Sequence, residues 1–383
     1  MTTVDTDTER PVHPLVVHEW FASIGGSENV ANAIRQTFEG SDLLCLWKEK
    51  NVQVPGAGRV LQTVLARKPF HGRKVLCLPL MPFVWRWTAA RKHDSQLAVV
   101  SSHLFAHHVA LPRKTRKILY VHTPARYIWE PEYDSRGQNL LIRAVAAILK
   151  PIDRKRASEA YDIAANSEFV RERIIKAWGL HSRVIYPPVE VEEIQAISEW
   201  ASVLTTEDRA LLDALPESFV LGASRFIPYK RLDLSITAGE IIKMPVVIAG
   251  GGPEEDRLRQ LALTAEVDVH FVIAPSNSLL RALYQRASVY VFPPIEDFGI
   301  MPVEAMAVGT PVVSNELGGA SESVLDGVTG AHFRPDDRES LHDALRRALD
   351  LDRDLIAVHA LKFSRKRFES EVRAWVSDTY PPV

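Results

Sequence analysis

The feature that most constrains this chain is residues 289–314, VYVFPPIEDFGIMPVEAMAVGTPVVS. Val289-Tyr-Val-Phe292 is an unbroken apolar, β-branched run, the pattern of a strand buried on both faces of a parallel sheet. Pro293-Pro294 stops it, because proline cannot donate to a sheet ladder. Gly299 and Pro302 mark a helix start that Glu304-Ala-Met-Ala307 continues, since proline is tolerated in a first turn. Gly309 ends the helix, and Pro311-Val-Val-Ser314 reads as a second buried strand. Strand, helix and strand in so short a stretch commit the chain to a parallel α/β architecture. Glu296 in the loop and Glu304 in the first helical turn stand eight positions apart. On one continuous helix they would be about 12 Å apart along the axis. A loop folding back over the helix start instead aims both at one ligand, beside N–H groups that favour phosphate.

A length of 383 residues suits two domains better than one core. Hydrophobic content of 46% and charged content of 25% are those of an ordinary globular protein, which excludes disordered and fibrous classes. The prolines are scattered between periodic segments and read as punctuation. Cys45 and Cys77 lie in apolar surroundings, which argues against a disulfide scaffold or a zinc site and fits a reducing compartment. Residues 1–13 read as disordered, with neither the basic start nor the apolar centre of a secretory signal. No apolar run is long enough to span a bilayer. The expectation is a cytoplasmic chain, with peripheral contact on the inner face of the plasma membrane as one reading of its basic stretch. That stretch, residues 59–117, holds twelve Lys/Arg and one acid, Asp94, with aromatics interleaved. It reads either as a dock for an anionic membrane or lipid phosphate, or as a basic face balanced by acids elsewhere. No nucleic-acid reader motif accompanies it.

In chain order, Pro14-Leu-Val-Val-His18 reads as a strand, followed by Gly25-Gly26 and a helix from about Glu28. Backbone at such a turn can approach a phosphate, although the dinucleotide spacing of glycines is missing. Gln96–Ser102 and Lys117–Val121 read as buried strands, and His122-Thr-Pro124 stands at the carboxyl end of the latter, where open α/β sheets bind ligands. Residues 138–160 read as a basic amphipathic helix kinked at Pro151. Pro187-Pro188 marks a hinge. Residues 192–215 read as helical and Phe219–Ser224 as the first strand of a second domain. The loop after it, Arg225-Phe-Ile-Pro-Tyr-Lys230-Arg231, offers the cations that a departing diphosphate needs. Gly250-Gly-Gly252 precedes acids that would repel phosphate, so that turn reads as structural. Ala274-Pro275 follows a strand at Val269–Ile273. Arg338–Leu349 and about Leu355–Thr379 read as the last helices.

Glu296 to Glu304 matches the Glu-x7-Glu signature of retaining glycosyltransferases of family 4, and the chain resembles these enzymes from Gly25-Gly26 to Gly330. The resemblance implies a GT-B fold: α/β, with two Rossmann-like domains facing each other across a cleft. Residues 1–187 would bind acceptor and residues 188–361 the nucleotide-sugar donor, with a final helix at about 362–380 packing back on the first domain. The implied reaction moves a hexose from a nucleotide diphosphate to an acceptor hydroxyl, with retention. Arg225 and Lys230 would clasp the diphosphate, Glu296 a sugar hydroxyl, and His122 the transferring sugar. Gly25, Gly26, Ala274, Phe298, Gly299, Ile300, Met301 and Glu304 would complete the donor site, with Glu304 on the ribose. No cofactor and no metal ligand set are expected. Pro228-Tyr-Lys-Arg231 and His122-Thr-Pro-Ala-Arg-Tyr127 look most like members using GDP-mannose, with a saccharide or polyprenyl-diphosphate-linked acceptor. UDP-sugar donors and a nucleotide-sugar 2-epimerase remain alternatives.

Overall fold

The computed structural model describes residues 13–380 apart from 23–24, 55, 57 and 131–139. All but the last residue of the segment expected to be disordered, 1–13, lies outside them. The chain divides into two compact units, Met1–Pro188 with Phe368–Val383, and Val189–Arg367.

The first unit is built on strands β1 (Leu15–His18), β2 (Leu43–Cys45), β3 (Val60–Gln62), β4 (Leu97–Ser102), β5 (Arg116–Val121), β6 (Asp162–Ala165) and β7 (Arg183–Val184). They form one sheet in the order β3-β2-β1-β4-β5-β6-β7. Every neighbouring pair is parallel. All six residues of β4 are buried, as a central strand covered on both faces requires. The order reverses between β1 and β4, so the crevice at their carboxyl ends is where such a sheet binds ligands. The register sets His18 beside Ser101 there.

One face of this sheet is covered from the far end of the chain. Phe368, Val372, Trp375 and Val376 of the helix Arg365–Thr379 share a core with Val16, Val99, Ile118 and Tyr120. The Trp375 indole N–H also donates to Asp162 Oδ2 at 3.0 Å. The single helix expected over 355–379 is in fact two, Arg353–Ala360 and Arg365–Thr379, joined by a tight turn at Leu361–Phe363. Ser364 breaks it: its backbone is extended and its hydroxyl accepts the Arg367 N–H as a cap. Residues 192–215 are likewise fragmented, into Val191–Gln195, Trp200–Val203 and Thr206–Asp213. Here Trp200 is pulled into the core, its indole donating to the Ile194 carbonyl at 3.1 Å, and Thr205 caps the next helix. After β5 and the short helix Arg126–Trp129, a longer helix runs Leu140–Ala157 with Pro151 inside it.

The second unit repeats the plan with β8 (Val220–Arg225), β9 (Val246–Gly251), β10 (Val269–Ile273), β11 (Val289–Phe292), β12 (Val312–Asn315) and β13 (Gly330–Phe333). Their order is β10-β9-β8-β11-β12-β13, again parallel, with the reversal between β8 and β11. The segment 289–314 forms strand, loop, helix Ile300–Ala307 and strand, as its sequence requires. Gly299 and Gly309 bracket that helix with φ of 89° and 80°, a region that favours glycine. In the triple-glycine turn, a Cβ on Gly250 would come within 1.9 Å of the Ser224 carbonyl, so close backbone approach accounts for that glycine.

Trp375 is fully buried. Replacing it by alanine should destabilise the first unit by about 3–5 kcal/mol. The check is denaturant unfolding followed by a probe within the first sheet.

Candidate functional site

In the second unit, two loops converge at the switch point. Arg225 ends β8 with its side chain exposed and its guanidinium 3.4 Å from the Tyr229 hydroxyl. Five residues on, Lys230 closes a tight turn at Pro228–Lys230 and is buried to 5% exposure. Its ammonium forms a short ion pair with Glu296 Oε1, and it lies over the Phe292 ring at 5.7 Å. The structure thus joins two groups that the sequence assigned to separate parts of a donor. The Glu296 loop is itself held from behind. Gly319 donates its N–H to the Glu296 carbonyl at 2.7 Å, and a Cβ on Gly319 would come within 2.2 Å of the Asp297 carbonyl. Gly318-Gly319 is therefore part of the site's support, and its paired glycines were the available signal.

Beyond that loop, Gly299 opens the helix Ile300–Ala307, whose first turns carry Ile300, Met301 and Glu304. Burial pushes the Glu304 carboxyl up to about 7, only partly opposed by Arg281. Phe298 does not offer a side chain to a ligand: it is buried, with its ring 5.6 Å from that of Phe363. Ala274 follows β10 with φ of 48° and an exposed side chain, its N–H bound to the Gly250 carbonyl at 2.8 Å.

In the first unit, Gly25 caps the helix Gly26–Thr37. A Cβ at Gly25 would fall 1.9 Å from Glu28 Oε2, so the helix's own acid occupies the space beside its N-terminus. His122, at the end of β5, is buried and bonded through Nε2 to the Ser101 hydroxyl at 2.8 Å. Burial, then His103 and His18, hold it well below the ordinary histidine value, so its ring is neutral. It belongs to a larger group that spacing along the chain did not reveal. His18 and His103 lie 6.3 and 6.2 Å from it between ring centroids, and the fully buried Glu19 stands beside both. Burial raises the Glu19 carboxyl, but His103, His18 and the N–H groups of Ala106 and Leu104 bring it below its usual range.

Residues 205–365 match the family described as Glycosyl transferases group 1. A GDP-mannose-dependent alpha-(1-6)-phosphatidylinositol monomannoside mannosyltransferase of Mycobacterium tuberculosis is 30% identical over 203 residues, covering 49% of this chain and 52% of that protein. A D-inositol 3-phosphate glycosyltransferase of Mycobacterium sp. (strain JLS) is 29% identical over 226 residues, covering 54% of this chain and 49% of that protein. Among solved structures, Anabaena HepE in complex with UDP matches with a TM-score of 0.67 at 18% identity, over 95% of this chain and 100% of that one.

The family match takes in most of the second unit, Val189–Arg367.

The fold of the chain is GT-B. The chain spans about half the length of the curated relatives it matches. Within this fold, the second unit brings Lys230 to Glu296 and sets both at the same sheet edge as Arg225. Gly299, Ile300, Met301 and Glu304 share one helix start. Gly25, Gly26 and His122 lie in the first unit. Among the described residues, two groups of side chains have a metal-ligating composition, one of them the His18, Glu19 and His103 group.

The raised Glu304 carboxyl has a consequence for stability. Between its ordinary value of 4.5 and about 7, the folded protein keeps a proton on Glu304 that the unfolded chain has released. Stability contributed by this group is therefore lost as pH rises through that window. Thermal unfolding of the wild type should show this decline, and Glu304→Gln should flatten it.

Proposed function

We propose that the protein transfers a hexose from a nucleotide diphosphate to an acceptor hydroxyl, with retention at the anomeric carbon. The observation that carries this reading is the pairing of buried Lys230 with Glu296, beside Arg225, at the carboxyl edge of β8 and β11. The barrier is loss of an anionic leaving group while positive charge grows on the sugar. Arg225, Lys230 and the N–H groups at Gly299–Met301 meet the departing charge. When the donor binds, Lys230 turns to the diphosphate and Glu296 is released to a sugar hydroxyl. Glu304, once ionised, accepts the ribose hydroxyls, and His122 orients the transferring sugar. By the family resemblance, the diphosphate takes the acceptor proton in a same-face substitution, and these cations leave no need for a metal on it.

Mannose from GDP-mannose is the favoured donor, supported by the named activity of the mycobacterial relative and by the Pro228–Arg231 and His122–Tyr127 segments. The acceptor class is a saccharide or lipid-diphosphate-linked glycan of cell-surface polysaccharide or glycolipid synthesis. A UDP-sugar donor is the second reading, favoured by the UDP complex of HepE. A panel of nucleotide sugars scored by thermal shift and by transfer separates the two, and turnover without acceptor would mark an epimerase. Lys230→Ala should lower transfer about 10²–10³-fold while leaving the fold intact. Full activity in that variant would overturn the donor clasp.

The reading extends to the membrane. Within the basic stretch, Cys77, Met81 and Trp85 point inward at helical spacing. Val75, Phe83 and Trp87 stand outward at 84%, 66% and 78% exposure, among exposed Arg73, Lys74 and Arg91. Apolar tips ringed by cations suit the interface of an anionic bilayer. Among the described residues no helix is long and apolar enough to cross a membrane. Binding to anionic vesicles should weaken with added salt and fall further in Phe83→Asp and Trp87→Asp. Salt-independent binding that is unchanged in both variants would remove this part.

A further inference from the structure

The first unit holds a group of side chains that the transfer chemistry leaves unused. His18 and Glu19 are fully buried, and the His103 side chain is 22% exposed. One donor atom from each lies within 4.8 Å of the other two. Glu19 uses its oxygens unequally. Oε1 accepts the backbone N–H groups of His103, Leu104 and Ala106 at 3.2, 2.8 and 3.0 Å, and the Ser102 hydroxyl at 3.3 Å. Oε2 accepts nothing among the described residues, although it is 3.4 Å from His103 Nδ1 and 3.9 Å from His18 Nδ1. His18 Nε2 and His103 Nδ1 are likewise buried without a hydrogen-bond partner. Buried polar atoms are rarely left unmet in a packed core.

We propose that His18, Glu19 and His103 bind one divalent transition-metal ion of the zinc class. Two imidazoles and a carboxylate are a zinc donor set, and three protein ligands leave a fourth position for an oxygen from outside the protein. The nitrogen donors select against magnesium and calcium. His18 Nδ1 rests on the Ser101 carbonyl and hydroxyl at 3.2 and 3.1 Å, the outer contact that fixes a ligating tautomer and leaves Nε2 as the lone-pair nitrogen.

A neighbouring cluster of the same composition shows what a closed network looks like. Asp153 Oδ1 is met by His107 Nε2 and His108 Nε2 at 3.0 Å each, and its Oδ2 by the Trp129 and Trp178 indoles at 2.8 and 2.7 Å. Both carboxylate oxygens there are spoken for, so it needs no ion. The metal group instead sits at the carboxyl ends of β1 and β4, the switch point of the sheet. The Ser101 hydroxyl joins it to His122, bonding His18 Nδ1 and His122 Nε2 at 3.1 and 2.8 Å. This inference goes beyond the proposed transfer and does not depend on it, because its readout is metal uptake. The expectation that no metal rests on the diphosphate concerns the second unit and is unaffected.

The test uses the full chain, purified without chelator or polyhistidine tag. Elemental analysis should find about one zinc per chain, and cobalt should give the visible absorption of a tetrahedral nitrogen–oxygen site. Glu19→Gln and His103→Ala should each weaken zinc binding more than about 100-fold by calorimetry, while circular dichroism and a cooperative thermal transition like that of the wild type show that both remain folded. Wild-type protein that takes up zinc only far below one per chain, or zinc affinity unchanged in both variants, would overturn the proposal.

Discussion

The organising constraint is that a cation cannot be buried at the edge of a parallel sheet without an anion to meet it. Lys230 is nearly inaccessible, and Glu296 supplies its counter-charge across the gap between the β8 and β11 loops. Because the sheet order reverses there, the two loops turn apart and leave a crevice between them. The pair therefore holds the crevice in shape, and on the function proposed above it keeps both charges in reserve for the donor. Gly318-Gly319 then braces the Glu296 loop through backbone contact that no larger residue allows.

Much of this was legible in the sequence because it is local. Strand, proline stop, glycine start and glycine end over 289–314 are each a one-residue decision, and each matches the structure within a residue or two. What failed was helix continuity. The polar stretches 192–215 and 355–379 look uniformly helical, but Trp200 and Ser364 each have a better use for their groups than staying in register. Burial of one indole and capping by one hydroxyl depend on partners that periodicity cannot supply.

The site was legible in proportion to its locality as well. Arg225, Lys230, Glu296 and Glu304 stand in short segments with recognisable spacing. That Lys230 would pair with Glu296, 66 residues away, was invisible until β8 lay beside β11. His103 is further removed still, 84 positions along the chain from Glu19. Only the parallel pairing of β1 with β4, which sets His18 beside Ser101, brings the group together. The ring of Phe298 packs against that of Phe363, where an aromatic gains more than by facing solvent.

The two sheets solve one problem with different chemistry. Each has its order reversed at the centre, and each concentrates charged or titratable groups at the carboxyl ends of the strands flanking that point. The second unit places permanent cations there, which suits a ligand that is always anionic and whose charge grows as it leaves. The first unit places histidines there: burial keeps His122 uncharged, and His18 is also held below its usual value, mainly by burial. Neutral imidazoles are poor partners for a diphosphate and good ones for a hydroxyl, which can both donate and accept a hydrogen bond. On the transfer proposed above, the permanent cations of the second unit suit the diphosphate and the neutral His122 of the first suits a hydroxyl, on chemistry that does not depend on which sugar is carried.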